Sequence, residues 1–119
     1  MRTAELRTEE GRVVCERCEL ATTPVRRAKG LLGRRNLPPG EGILLRPAGS
    51  IHTAFMQFPI DAVFLARDGR VLKLEQALPP WRMAARRGAH AVVELPAGEV
   101  ARRGLRVGDN LIVAGGGER

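Results

Sequence analysis

Aromatic side chains are scarce in this 119-residue chain: Phe55, Phe58, Phe64 and Trp81 are the whole set, and tyrosine is absent. Proteins that hold single-stranded nucleic acid pair a basic groove with aromatic stacking platforms. Here the three phenylalanines fall in strand-like apolar segments, so the net charge of +7 reads as a solvated basic surface rather than a nucleic-acid groove. Lysine is rare as well, with Lys29 and Lys73 against a large excess of arginine spread along the chain. No run approaches the ~18 apolar residues that a membrane-spanning helix needs. The opening "MRTAELRTEE" lacks the apolar core of a secretory signal, so the expectation is a soluble cytoplasmic protein.

Only two cysteines are present, in "CERC" at 15–18. One CxxC pair supplies half of a tetrahedral zinc site, and the other ligands would have to be His52 and His90. In an extended strand, residues three apart point to opposite faces and cannot share an ion. The pair also lies outside a helix N-terminus, where a thiol's pKa would fall. The reading is two small core or edge thiols, with no metal and no cofactor.

What remains is a pattern of short apolar runs punctuated by 14 glycines and 8 prolines. "TAELRT" and "RVVCERCEL" flank "EEG" as a hairpin with Gly11 in the turn. In "ATTPVRRAKGLLGRR", Thr22 or Thr23 can cap a helix with Pro24 in its first turn and Gly33 at its end. Val25, Ala28, Leu31 and Leu32 would form the face that packs on a sheet. "ILL" at 43–45 reads as a buried strand, and "IHTAFMQF" and "IDAVFLA" as two more separated by Pro59. "RDG" turns the chain into "RVLKLEQAL", residues 78–90 form an irregular loop, and "AVVEL" resumes strand. "PAGEVARRG" is a short helix closed by Gly104, "LRVGDNLIVA" holds the last strand, and "GGGER" is expected to fray.

The fold class expected is α+β and β-rich: a mainly antiparallel sheet rolled into a small barrel-like core, one helix in the N-terminal half and one short C-terminal helix. Residues 1–114 form a single domain and 115–119 a disordered tail.

The stretch "SIHTAFMQFPIDAVFL" sets His52, Thr53, Gln57 and Asp61 among core-forming side chains. If it is extended, both faces of "IHTAFMQF" are largely apolar, and Asp61 starts the stripe continued by Val63 and Leu65. A buried carboxylate without partners costs several kcal/mol, so Asp61 needs donors: backbone N–H groups, His52, or an arginine such as Arg34. Alternatively it caps the turn after Pro59. A His52–Asp61 pair would be the orienting half of a general-base system, but no nucleophile stands in a strained turn nearby.

"GLLGRRNLPPGEGILLRP", "SIHTAFMQFPIDAVFL", "DGRVLKL" and "ELPAGEVARRGLRVGDNLIV" together resemble the bacterial and archaeal family designated domain of unknown function 192, over residues 24–114. The resemblance implies a compact β-rich fold and no established reaction. It carries the family's recurrent polar positions onto Arg34, His52, Thr53, Met56, Asp61, Glu94, Gly98 and Asp109. The chain departs from relatives with "PCSSIHT", having Ala48 where they have cysteine, which weakens thiol or Cys–His metal chemistry.

The leading expectation is a non-enzymatic binding module with a shallow pocket near the Pro59 step. Its ligand-binding residues are Arg34, His52, Thr53, Met56, Asp61, Trp81 and Glu94, and its partner a small molecule or protein. Trp81, alone in a proline-flanked loop, suits a lid or contact surface. No catalytic residue is assigned, and a monomer is expected. The competing readings are a hydrolase-like enzyme using His52 and Asp61, and a basic nucleic-acid accessory.

Overall fold

The computed structural model describes residues 2–118. Nine strands and two short helices follow in the order β1 (Arg2–Thr8), β2 (Val13–Ala21), α1 (Pro24–Lys29), β3 (Glu41–Leu45), β4 (Ser50–His52), β5 (Ile60–Leu65), β6 (Val71–Leu78), β7 (Met83–Ala85), β8 (Ala91–Pro96), α2 (Glu99–Arg102) and β9 (Leu111–Glu118). Seven strands form one sheet in the order β6-β5-β8-β3-β2-β1-β9, and β4 pairs with β7 in a small second sheet.

Local turn chemistry accounts for the hairpins. Gly11, at φ +94°, closes the β1–β2 turn by donating its N–H to the Thr8 carbonyl at 2.9 Å. Gly69 turns β5 into β6 at the same φ, and a Cβ there would lie 2.4 Å from the Leu111 carbonyl oxygen. Glycine is required at that position because the two edges of the sheet meet there. Arg70 bridges Asn110, and Leu111 donates to the Gly69 carbonyl at 2.9 Å, so the sheet curls into a half-barrel joined at one corner.

The sheet is mixed, which corrects the expectation of a mainly antiparallel one. β2 and β3 run parallel, with Arg17 opposite Glu41 and Ala21 opposite Leu45. The crossover through α1 and residues 30–40 returns the chain to the end of the sheet from which β2 started, and a strand begun there must run parallel.

Both faces of the sheet are covered, which is why β5 and β8 are buried at every position. Val63 and Leu65 point into a first apolar layer with Leu6, Val14, Leu44 and Val100. Ile60, Ala62 and Phe64 point into a second with Ile43 and Val92, capped by Leu31, Leu37, Ile51, Met56 and Ala84. Full burial of each such valine, leucine or phenylalanine contributes ~1.5–3 kcal/mol. The domain thus has two thin cores that share one sheet.

Two elements differ from the sequence reading. α1 is capped by Thr23, whose hydroxyl accepts from the Arg26 N–H at 3.2 Å, but it ends at Gly30 (φ +48°) rather than Gly33. Too short to present a face, it buries none of its own residues: Val25 is 78% exposed, and Leu31 and Leu37 beyond its end do the packing. "IHTAFMQF" is strand only through His52. Thr53 stops it, donating its N–H to the Arg82 carbonyl at 2.8 Å while its hydroxyl donates to the Pro79 carbonyl at 2.7 Å and accepts from the Arg82 N–H at 2.8 Å. A segment apolar on both faces has no alternation to hold it extended, so these bonds decide its path. The loop at 78–90 contains the short β7, which pairs with β4.

α2 matches the expected position, with Gly104 in the left-handed region (φ +66°) and Leu105 bonded back to the Val100 carbonyl at 3.0 Å. β9 continues to Glu118, opposite Arg2, through the segment expected to fray, and Arg119 lies outside the described residues. No helix among the described residues is long and apolar enough to cross a membrane.

Candidate functional site

Asp61 is fully buried, and its donors are backbone N–H groups, one of the sources expected for it. Oδ1 accepts from Ala77 at 2.8 Å, and Oδ2 accepts from Gly98 at 3.0 Å and Val100 at 2.9 Å. Between Ile60 and Ala62 the β5–β6 register slips, leaving Ala77 at φ +53° with its N–H turned off the ladder. The same carboxylate therefore stabilises a β-bulge and the first turn of α2. Asp61 holds the fold together. It follows Val63 and Leu65 into the first layer, whereas His52 sits exposed on β4 over the second, and no hydrogen bond joins the two among the described residues.

Three other expected site residues, Thr53, Arg34 and Trp81, make contacts within the fold. Thr53 pins the 53–59 turn to the 79–82 segment, as above. Arg34 pairs with Glu41 at 2.9 Å, and Glu41 also meets Arg17. Trp81 is 61% exposed and meets the edge of Phe55, itself 71% exposed, with ring centroids 4.6 Å apart. Both aromatics sit at positive φ, and the Trp81 N–H donates to the Thr53 carbonyl at 3.0 Å. Asp109, another position carried by the resemblance, accepts from the Arg106 N–H at 2.9 Å and meets Arg12 at 3.4 Å in the turn before β9.

Glu94, His52 and Met56 do come together. They line a cavity of about 390 Å³ between the sheet, β4 and the α1 segment, with Leu31, Leu45 and Ile51 among its apolar walls. Glu94 stands on β8 opposite Ile43 and Ala62, both members of the second layer, so the pleat turns its carboxyl toward the cavity. It is only 3% exposed, and no group among the described residues donates a hydrogen bond to it. Burial raises its pKa from 4.5 to about 7. Arg27 and Lys29 line the same cavity from α1. Arg27 donates to the Thr22 carbonyl at 3.2 Å, and neither cation makes an ion pair among the described residues.

Glu94 entered the sequence reading through the family resemblance alone. The signal it does carry is a single acid inside the otherwise apolar run "AVVEL".

Some of the basic residues outside the cavity are paired, whereas Arg35, Arg46, Arg67, Arg70, Arg82, Arg86, Arg87 and Arg106 make no ion pair among the described residues. Arg103 joins α2 to β2 by meeting Glu16 at 2.6 Å and Glu99 at 3.3 Å, and Arg102 meets Glu99 at 2.5 Å. These guanidiniums hold the Glu16 and Glu99 carboxyls below the usual carboxylate range. Arg26 pairs with Glu19.

Cys15 and Cys18 are free and buried in the same layer, against the expectation that a pleated strand would send them to opposite faces. The β1–β2 register explains it: Ala4 faces Cys18 and Leu6 faces Cys15, so β2 carries one extra residue and bulges. A hydrogen bond from the Cys18 thiol to Cys15, together with burial, pushes the Cys18 thiol well above its ordinary range, the opposite of what a nucleophile needs. No cluster of three or more His, Cys, Asp or Glu able to hold a metal occurs among the described residues.

Among solved structures, the chain is similar to one described as a "putative transcription regulator" from Sinorhizobium meliloti 1021, at 29% identity and TM-score 0.83, covering 95% of this chain and 94% of that one. It is also similar to a protein of unknown function from Novosphingobium aromaticivorans DSM 12444, at 28% identity and TM-score 0.79, covering 92% and 83%. No curated protein matches. The model of the family DUF192, described as "Uncharacterized ACR, COG1430", matches residues 5–113, which takes in "CERC" and reaches further toward the N-terminus than the motifs at 24–114. The chain belongs to the DUF192 family.

Proposed function

We propose that this domain binds a small organic molecule in the cavity lined by His52, Met56 and Glu94. One observation carries the reading: a nearly fully buried carboxyl, with no hydrogen-bond donor among the described residues, faces a cavity of about 390 Å³. The sealed side-chain oxygen without a partner among the described residues is Asn110 Oδ1; the Glu94 carboxyl instead opens onto the cavity, where its partner must come from water or a ligand. The volume falls within the range of small-molecule sites, and the lining mixes apolar side chains with the polar groups of Arg27, Lys29, Ser50, His52 and Glu94.

The other readings have less support. The His52–Asp61 acid–base pair loses its acid, because three backbone donors occupy that carboxylate. The solved structure described as a putative transcription regulator raises a nucleic-acid role; here Arg17, Arg26, Arg34, Arg102 and Arg103 are engaged with carboxylates, and the arginines without an ion pair among the described residues are spread over several separate connecting segments.

A metabolite screen by thermal shift tests the proposal, run in parallel on the protein and on an Ala28→Trp variant. Ala28 lines the cavity from an exposed position, so its replacement fills the space at little cost to the core. Compounds that stabilise the protein and not the variant are the expected result. A screen in which nothing raises the midpoint above buffer controls would sink the proposal.

A further inference from the structure

We infer that the ligand of this cavity is a zwitterion whose ammonium and carboxylate are separated by an apolar carbon chain, the ammonium meeting Glu94 and the carboxylate meeting Arg27 and Lys29. The inference rests on the reading that the cavity is a ligand site, and adds the chemistry of its occupant. Glu94 lies inside, 3% exposed, with no donor among the described residues directed at it. A donor carrying positive charge is the strongest complement to such a group, because a charge-assisted hydrogen bond in low dielectric replaces the solvation that burial removed. An isolated amine would nevertheless enter past two cations. Arg27, half-buried, and Lys29, exposed, both line the cavity without a carboxylate partner among the described residues. An anion at the outer end of the ligand complements them.

The lining also includes Leu31, Leu45, Ile51 and Met56, apolar side chains that favour methylene groups, beside the hydroxyl-bearing Ser50. The titratable and charged groups lining the cavity with Glu94 are Arg27, Lys29 and His52; the cross-strand neighbours Ile43 and Ala62 are apolar. Glu94 is thus the one acidic group available to an ammonium there. His52, which is exposed, also lines the cavity.

Calorimetric titration of the full chain at about pH 8, where Glu94 is ionised, decides the matter with four probes: ε-aminohexanoate, hexylamine, hexanoate and hexanol. The zwitterion is expected to bind at least about tenfold tighter than either singly charged probe. Glu94→Gln, a near-isosteric change, should reduce it to the level of hexanoate, and the double change Arg27→Gln with Lys29→Gln to the level of hexylamine. Circular dichroism checks that each variant is folded. A zwitterion that binds no tighter than hexanoate or hexylamine, or that binds the folded Glu94→Gln protein as well as the parent, overturns the inference. If hexanol alone binds and Ala28→Trp abolishes it, the cavity reading survives while the charge assignment falls. If none of the four binds, both are overturned.

Discussion

Asp61 and Glu94 stand one register position apart on paired strands, Asp61 opposite Leu95 and Glu94 opposite Ala62, yet they end in opposite situations. Asp61 turns into the first apolar layer and accepts three backbone N–H bonds. Glu94 turns into the second layer, where no group among the described residues bonds it and burial alone acts on it. The difference teaches that burial of an acid does not mark a site. What separates a structural carboxylate from a candidate functional one is how many donors the fold has already committed to it.

The comparison breaks most visibly at Asp61. Asp61→Ala leaves the N–H groups of Ala77, Gly98 and Val100 without their acceptor, and the expected cost is roughly 3–5 kcal/mol in urea denaturation. A loss below about 1 kcal/mol would remove the structural role assigned here.

Glu94 behaves in the opposite sense. Its folded pKa lies above its unfolded value, so its contribution to stability is fully present below about pH 4.5 and is lost as pH rises through about 7. Glu94→Gln is therefore expected to match the parent in acid and to be more stable by roughly 2–3 kcal/mol above pH 7, as paired denaturation curves across that range would show. A variant less stable than the parent at neutral pH would mean that the carboxyl has a partner after all.

Two smaller effects sharpen the contrast between the pinned turn and what it displays. Thr53→Val keeps the shape but leaves the Arg82 N–H without its acceptor, with an expected loss of roughly 1–3 kcal/mol. Trp81→Ala removes an exposed ring, and is expected to change stability by only about 0.5 kcal/mol and to leave ligand binding in the cavity unchanged. Trp81 fluorescence, sensitive to the 53–59 turn, gives an independent readout of the Thr53 change.

Much of the fold was legible because turn chemistry is local. Gly11, the "RDG" at 67–69, Thr23 with Pro24, and Gly104 all stand where the sequence placed them. The cysteines were misplaced because alternation was counted across a bulge, which no local feature of "CERC" announces. The 53–59 turn was read as strand because its apolar residues fit either face, while the bonds that bend it come from residues about thirty positions later. The candidate site was legible only in pieces. His52, Met56 and Glu94 were all nominated, but beside Arg34, Thr53, Asp61 and Trp81, which do not line the cavity.

By itself, the sequence determined a β-rich domain of short elements, where its tight turns fall, and that Asp61 needed donors. Those conclusions follow from interactions within a few residues or from the cost of burying charge. Tertiary structure alone decided that β2 and β3 run parallel, that one sheet separates two cores, and that Glu94 rather than Asp61 lines a cavity. The pleat assigns each carboxyl a side, but only the packing of distant segments determines what waits for it there.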